Sequence, residues 1–201
     1  MPRLILRAAA AALAIAAPAF ASETVTKAQV LEAIQTLDAL SVGSLAGSKS
    51  SEQADAAVAK ASKMILKFAI DSDEVVVDLG PESVPWCDVK KGLSGRSNAG
   101  QRGLLLAAYV SGCVRAQLQT GKQDPNPLAG WVAMLRLYRA VKVREGTAIP
   151  EVEALLARQM NGSLEAYADA ALRRSTESLR RTYGAPGAPA KPDSAPLVSQ
   201  P

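Results

Sequence analysis

Residues 95–103 read GRSNAGQRG and run straight into the apolar stretch LLLAAYVSGCV. Gly95 and Gly100 have the spacing of the first half of a phosphate-cradling loop, where glycines let backbone N–H groups close around a phosphate. That chemistry next requires Lys and then Ser or Thr, to reach the terminal phosphates and to hold magnesium. Gln101 and Arg102 stand there instead, so nucleotide binding is not expected. What survives is an anion site. Amides exposed at a helix N-terminus and flanked by Lys90, Lys91, Arg96 and Arg102 favour a phosphate or carboxylate group. The plainer reading is a flexible lead-in whose Ser97 or Asn98 caps a buried helix. From Lys90 to Arg144 the only acid is Asp124, and Arg136 and Arg139 extend the basic character. Such a block is either a set of solvated helix faces or an electropositive surface for lipid headgroups, lipopolysaccharide or an acidic polymer. Nucleic acid is not expected as a partner, because export argues against it and no aromatics punctuate the basic faces as a stacking platform would.

Two further stretches carry chemistry-bearing residues. DSDEVVVDLGPE, from Asp71, puts acids at positions 1, 3 and 12 of a calcium loop. Val75 and Val76 replace the ligand at position 5 and the turn glycine at position 6, so the oxygens do not converge and no metal is expected. Glu82 is a lone acid of the type that protonates a leaving group in glycan cleavage. It lies between Pro81 and Pro85 in a loop, which makes it a weak catalytic candidate. The chain has no histidine, which excludes Ser-His-Asp and Cys-His nucleophiles as well as histidine-bearing zinc sites. No cofactor is expected. The two cysteines, Cys87 and Cys113, are expected to form one disulfide in an oxidising compartment, worth about 3 kcal/mol by chain entropy.

The elements that must position these residues read as helices. Thr26 and Gln29 have capping-box spacing, with Val25 and Val30 as a hydrophobic staple. Val30, Ile34, Leu37 and Leu40 form the stripe of a first helix, stopped by Gly43. Ser50 to Gln53 repeats the box, and Ala54, Ala57, Val58, Ala61, Ile65 and Phe68 share one face of a second helix. Residues 71–94 break the rhythm, with Val75 to Val77 as one extended segment in a long irregular loop. A third helix runs from about Ser97 to Thr120, and its stretch Leu104 to Val114 is apolar nearly all round, as at the centre of a bundle. Its small residues Ala108, Gly112 and Ala116 recur at helical spacing and admit either a neighbouring helix or a second copy. Asn126 and Pro127 open a fourth helix striped by Leu128, Trp131, Val132, Leu135, Tyr138 and Val141. Pro150 opens a fifth, Asn161-Gly162 interrupts it, and Ser163 restarts a sixth to about Tyr183. A second basic cluster, Arg173, Arg174, Arg180 and Arg181, surrounds Glu177.

The N-terminal MPRLILRAAAAALAIAAPAFA has the basic start, apolar core and Ala-Phe-Ala end of a secretory leader, with cleavage expected after Ala21. Its apolar core is shorter than the roughly 20 residues a membrane span needs, so no transmembrane anchor is expected to remain. The expected organisation is a signal peptide at 1–21, one all-α domain of five or six helices at 22–183, and a disordered Pro-rich tail at 184–201. The expectation for function is an exported soluble protein of a bacterial-type periplasm or the cell exterior. Its role there is non-catalytic binding, to an envelope protein or an anionic envelope component. The alternatives are an electropositive binder through Lys90, Lys91, Arg96, Arg102, Arg136 and Arg139, and a wall-glycan enzyme through Glu82.

Overall fold

The computed structural model describes residues 24–41, 51–87, 98–146 and 148–183, and these form six α-helices with no strand among them. The helices are α1 (Lys27–Ser41), α2 (Ser51–Asp71), α3 (Ala99–Thr120), α4 (Pro127–Glu145), α5 (Pro150–Met160) and α6 (Leu164–Tyr183). Residues 1–23, the Gly43 and Ser50 signals, residues 88–97 and residues 184–201 lie outside the described residues, and with them the expected leader and tail. No helix among those described is long and apolar enough to cross a membrane.

The helix ends follow from local chemistry. Thr26 Oγ1 accepts from the Gln29 amide at 3.3 Å while Gln29 Oε1 accepts from the Thr26 amide at 2.8 Å. Two donors that a helix start leaves unpaired are thereby satisfied. Val25 packs half-buried against the core, as a staple requires. Asn126 Oδ1 caps α4 by accepting from the Ala129 amide at 3.0 Å. At its other end Gly146 takes φ 67°, the left-handed conformation that glycine adopts without steric cost. Asn98 departs from expectation. It precedes α3 with φ 65° and its side chain makes no capping bond.

The centre of the molecule is α3, buried on every side from Leu105 to Val114. It packs against α1, α2 and most extensively α4. The α3–α4 crossing is close because two glycines meet it from opposite sides. A Cβ on Gly112 would lie 2.3 Å from the Ala129 carbonyl oxygen. One on Gly130 would lie 2.5 Å from Tyr109 ring carbons and 2.8 Å from Cys113 Sγ. Gly112, the middle of the small-residue row, therefore faces a helix of its own chain. Helix α4 touches α1, α3, α5 and α6, so its apolar surface is wider than one stripe. Met134 and Leu137 are fully buried, whereas Val132, expected in the stripe, stands 36% exposed.

The segment after α2 is irregular but not loose. Val75, Val84 and Trp86 are buried, and side chains of α3 and α4 hold its backbone. Gln117 accepts from the Val76 amide at 2.8 Å and donates to the Val76 carbonyl at 2.7 Å, the pairing a neighbouring strand would supply. Trp131 Nε1 donates to the Ser83 carbonyl at 2.7 Å, and the Tyr109 hydroxyl donates to the Asp78 carbonyl at 3.1 Å.

The expected disulfide is absent: Cys87 and Cys113 are both buried and are not bonded to each other. Cys113 turns toward α4, where its thiol donates to the Asn126 carbonyl at 3.3 Å. Cys87 follows Trp86, whose carbonyl is held by Arg102 in the first turn of α3. A disulfide needs the two Cβ atoms aimed at one another, and Cys113 is aimed instead at the Asn126 carbonyl. The hydrogen bonds from α3 and α4 supply the pin that the disulfide was expected to provide.

Candidate functional site

The six residues expected to form an electropositive surface have different fates. Lys90, Lys91 and Arg96 lie outside the described residues. Arg102 turns inward, with its side chain 9% exposed. One terminal nitrogen donates to the Trp86 carbonyl at 2.6 Å and the other to Glu151 at 3.3 Å, tying α3 to the preceding segment and to α5. Arg136 and Arg139 are exposed on α4, and Arg139 donates to Gln159 of α5 at 2.7 Å. Glu82 sits half-buried in a turn and accepts from Arg174 Nε at 2.7 Å. That hydrogen bond holds the Arg174 guanidinium still further toward its charged form.

The structure gathers a set of polar groups that pattern reading did not bring together. Asp78 accepts from the Gly80 amide at 2.9 Å and from the Ser83 hydroxyl at 2.7 Å. Above it lie Tyr109 and Cys113, one helical turn apart on α3. Burial pushes the Cys113 thiol up to about 12. Burial first, and Cys113 second, drive the Tyr109 phenol well above its ordinary value. A thiol attacks or binds metal as the thiolate, and burial in apolar surroundings opposes that form. Tyr109 and Trp131 thus hold the irregular segment, itself braced by Asp78 and Ser83, against the α3–α4 crossing. The link was invisible beforehand because the bonds from Tyr109 and Trp131 reach residues 31 and 48 positions away in the chain. A second such group joins α4 to α5. Tyr138 and Lys142 both donate to Glu153, which lowers that carboxyl, while burial and Glu153 push Tyr138 up to about 12.

Near the start of α3, Trp86 Nε1, both amide atoms of Gln101 and Arg102 Nε are buried without a hydrogen-bond partner among the described residues. Only Gln101 offered a signal in sequence, as a polar residue entering an apolar helix. Among the described residues, no group of three or more Cys, Asp or Glu side chains is placed to hold a metal ion.

A further assembly of exposed charge lies elsewhere, on α5 and α6. Tyr167 stacks on Trp131 at 5.4 Å between ring centroids, with an interplanar angle of 24°. The Arg158 guanidinium lies 4.1 Å from the Tyr167 centroid and that of Arg174 lies 5.5 Å away. Arg174, Glu177, Ser178 and Arg181 line an open groove along the next turns of α6. Comparison with protein-family models, with curated proteins and with solved structures finds no match to this chain.

Proposed function

We propose that this chain is a non-catalytic binding protein of the cell envelope, exported on the leader at 1–21. The observation that carries this reading is the employment of its reactive side chains as internal struts. Asp78, Ser83, Tyr109 and Cys113 are engaged with backbone or with one another, and Glu82 is tied to Arg174. A proton donor in catalysis needs a carboxyl facing substrate, and the Glu82 carboxylate is taken up by Arg174. The exposed Arg136 and Arg139 support the variant in which the bound component is anionic, while Arg102 is committed inside the fold.

Two measurements test the proposal. Purified mature protein incubated with isolated cell-wall glycan is expected to release no soluble fragments. Release by the wild type that disappears in Glu82→Gln overturns the non-catalytic reading. Fractionation of the expressing cell, with N-terminal sequencing of the product, is expected to find a chain beginning at Ser22 outside the inner membrane. An intact leader on cytosolic protein overturns the export reading.

A further inference from the structure

We infer that the outer face of α6, extended by Arg158 of α5, is an electrostatic docking strip for an anionic bilayer surface. On a helix with 100° between residues, Arg180, Arg173, Glu177, Arg181 and Arg174 fall within an arc of about 120°. The buried residues Leu164, Ala168 and Ala171 lie on the opposite side. Tyr167 borders the same arc on one side and the exposed Asp169 on the other, and Arg158 covers the tyrosine ring. From Tyr167 to Arg181 the strip is about 21 Å long.

The charge on this strip is in excess and outward. Glu82 pairs with Arg174, and Glu177 pairs with Arg181 at 3.6 Å. Arg158, Arg173 and Arg180 are exposed and have no acidic partner among the described residues. The Arg181 and Glu177 side chains are 82% and 60% exposed, so their pair does little to neutralise the face. Beyond Ala171 no described residue of α6 is buried, and this end of the helix extends with its basic side open to solvent.

Charge complementarity selects a negative partner, and side-chain chemistry selects its kind. Protein interfaces concentrate their binding energy in apolar and aromatic anchors, and this arc presents none. Its aromatic ring, Tyr167, is packed against Trp131 and covered by arginine. A row of guanidiniums without an apolar anchor matches a plane of mobile phosphate headgroups, each free to move into register with an arginine fork. This site is distinct from Lys90, Lys91, Arg96, Arg102, Arg136 and Arg139, and it does not depend on where the protein resides.

The test is co-sedimentation of the purified mature chain with phosphatidylcholine vesicles, with or without a third of phosphatidylglycerol. Binding is expected only with the anionic lipid and is expected to fall steeply as salt rises. The triple variant Arg158→Gln, Arg173→Gln, Arg180→Gln is expected to lose roughly a hundredfold in partitioning, at about fivefold per arginine, with an unchanged circular dichroism spectrum. Lys60→Gln with Lys63→Gln, exposed on α2 away from this strip, is expected to retain most of the binding. Equal binding to both vesicle types, or full binding by the triple variant, overturns the assignment. So does a wild type that stays unbound at either composition, the result expected if the strip serves an acidic protein. The wall-glycan assay on the same preparation reports on the non-catalytic reading separately.

Discussion

Gly112 and Gly130 set how near α4 comes to α3, and their environments differ in kind. A methyl group on Gly112 meets backbone, the carbonyl of Ala129, which moves only if the helix moves. A methyl on Gly130 meets the Tyr109 ring and the Cys113 sulfur, both side-chain atoms. Gly112→Ala is therefore expected to cost about 1 to 3 kcal/mol, read as a lower denaturant midpoint with an unchanged slope. Cys113 makes a second prediction at this scale. Its ordinary value of 9.0 is raised to about 12 by burial, so the folded chain holds the thiol proton more tightly than the unfolded chain. The stability tied to that proton is complete below pH 9.0 and is lost as pH climbs toward 12. Denaturation in reductant across this window is expected to show a falling midpoint, with a shallower fall in Cys113→Ala. An unaltered slope in that variant would place the alkaline transition on the tyrosines instead.

Among the elements, the helices were legible and the segment between α2 and α3 was not. Capping boxes, prolines at helix starts and recurring apolar positions are local signals, and each marked a helix that exists. The six-helix count turned on Asn161-Gly162, where Gly162 takes φ 75° and α6 begins at Leu164. Val75 to Val77 was readable as extended, yet its attachment depends on Gln117, which is distant in the chain and whose role no periodicity reveals. The same holds for Arg102, which looked like surface charge and proved to be an internal tie. Gln117→Leu keeps the shape of the helix but leaves the Val76 amide and carbonyl without their partner. That change is expected to cost about 1 to 3 kcal/mol and to speed hydrogen exchange at Val76 while α3 stays protected. Uniform exchange across both elements would show that the irregular segment is held by other contacts.

For the molecule as a whole, α3 is the element around which the others assemble. Its flanks carry the irregular segment on one side and α4 on another, and α4 in turn seats α5 and α6. Basic character was visible in sequence as two clusters, and the first drew attention because it adjoined a glycine-rich stretch. Among the described residues the two fare differently. Arg102 is withdrawn from solvent, while the cluster on α6 becomes a continuous outward face. Neither Cys87 nor Cys113 is cross-linked in the fold, and both are closed off from solvent. Alkylating reagent is accordingly expected to leave the native chain unmodified and to label both cysteines in denaturant without prior reduction. Labelling that requires a reductant would restore the disulfide.

The concealment of those two sulfurs sets a race for any chain that matures among oxidants. Until α3 has docked onto α4, both thiols are open to attack and to mismatched partners. A newly made chain must then finish its central packing before an oxidase reaches it, and slowing that step with Gly112→Ala would raise the yield of covalent dimers.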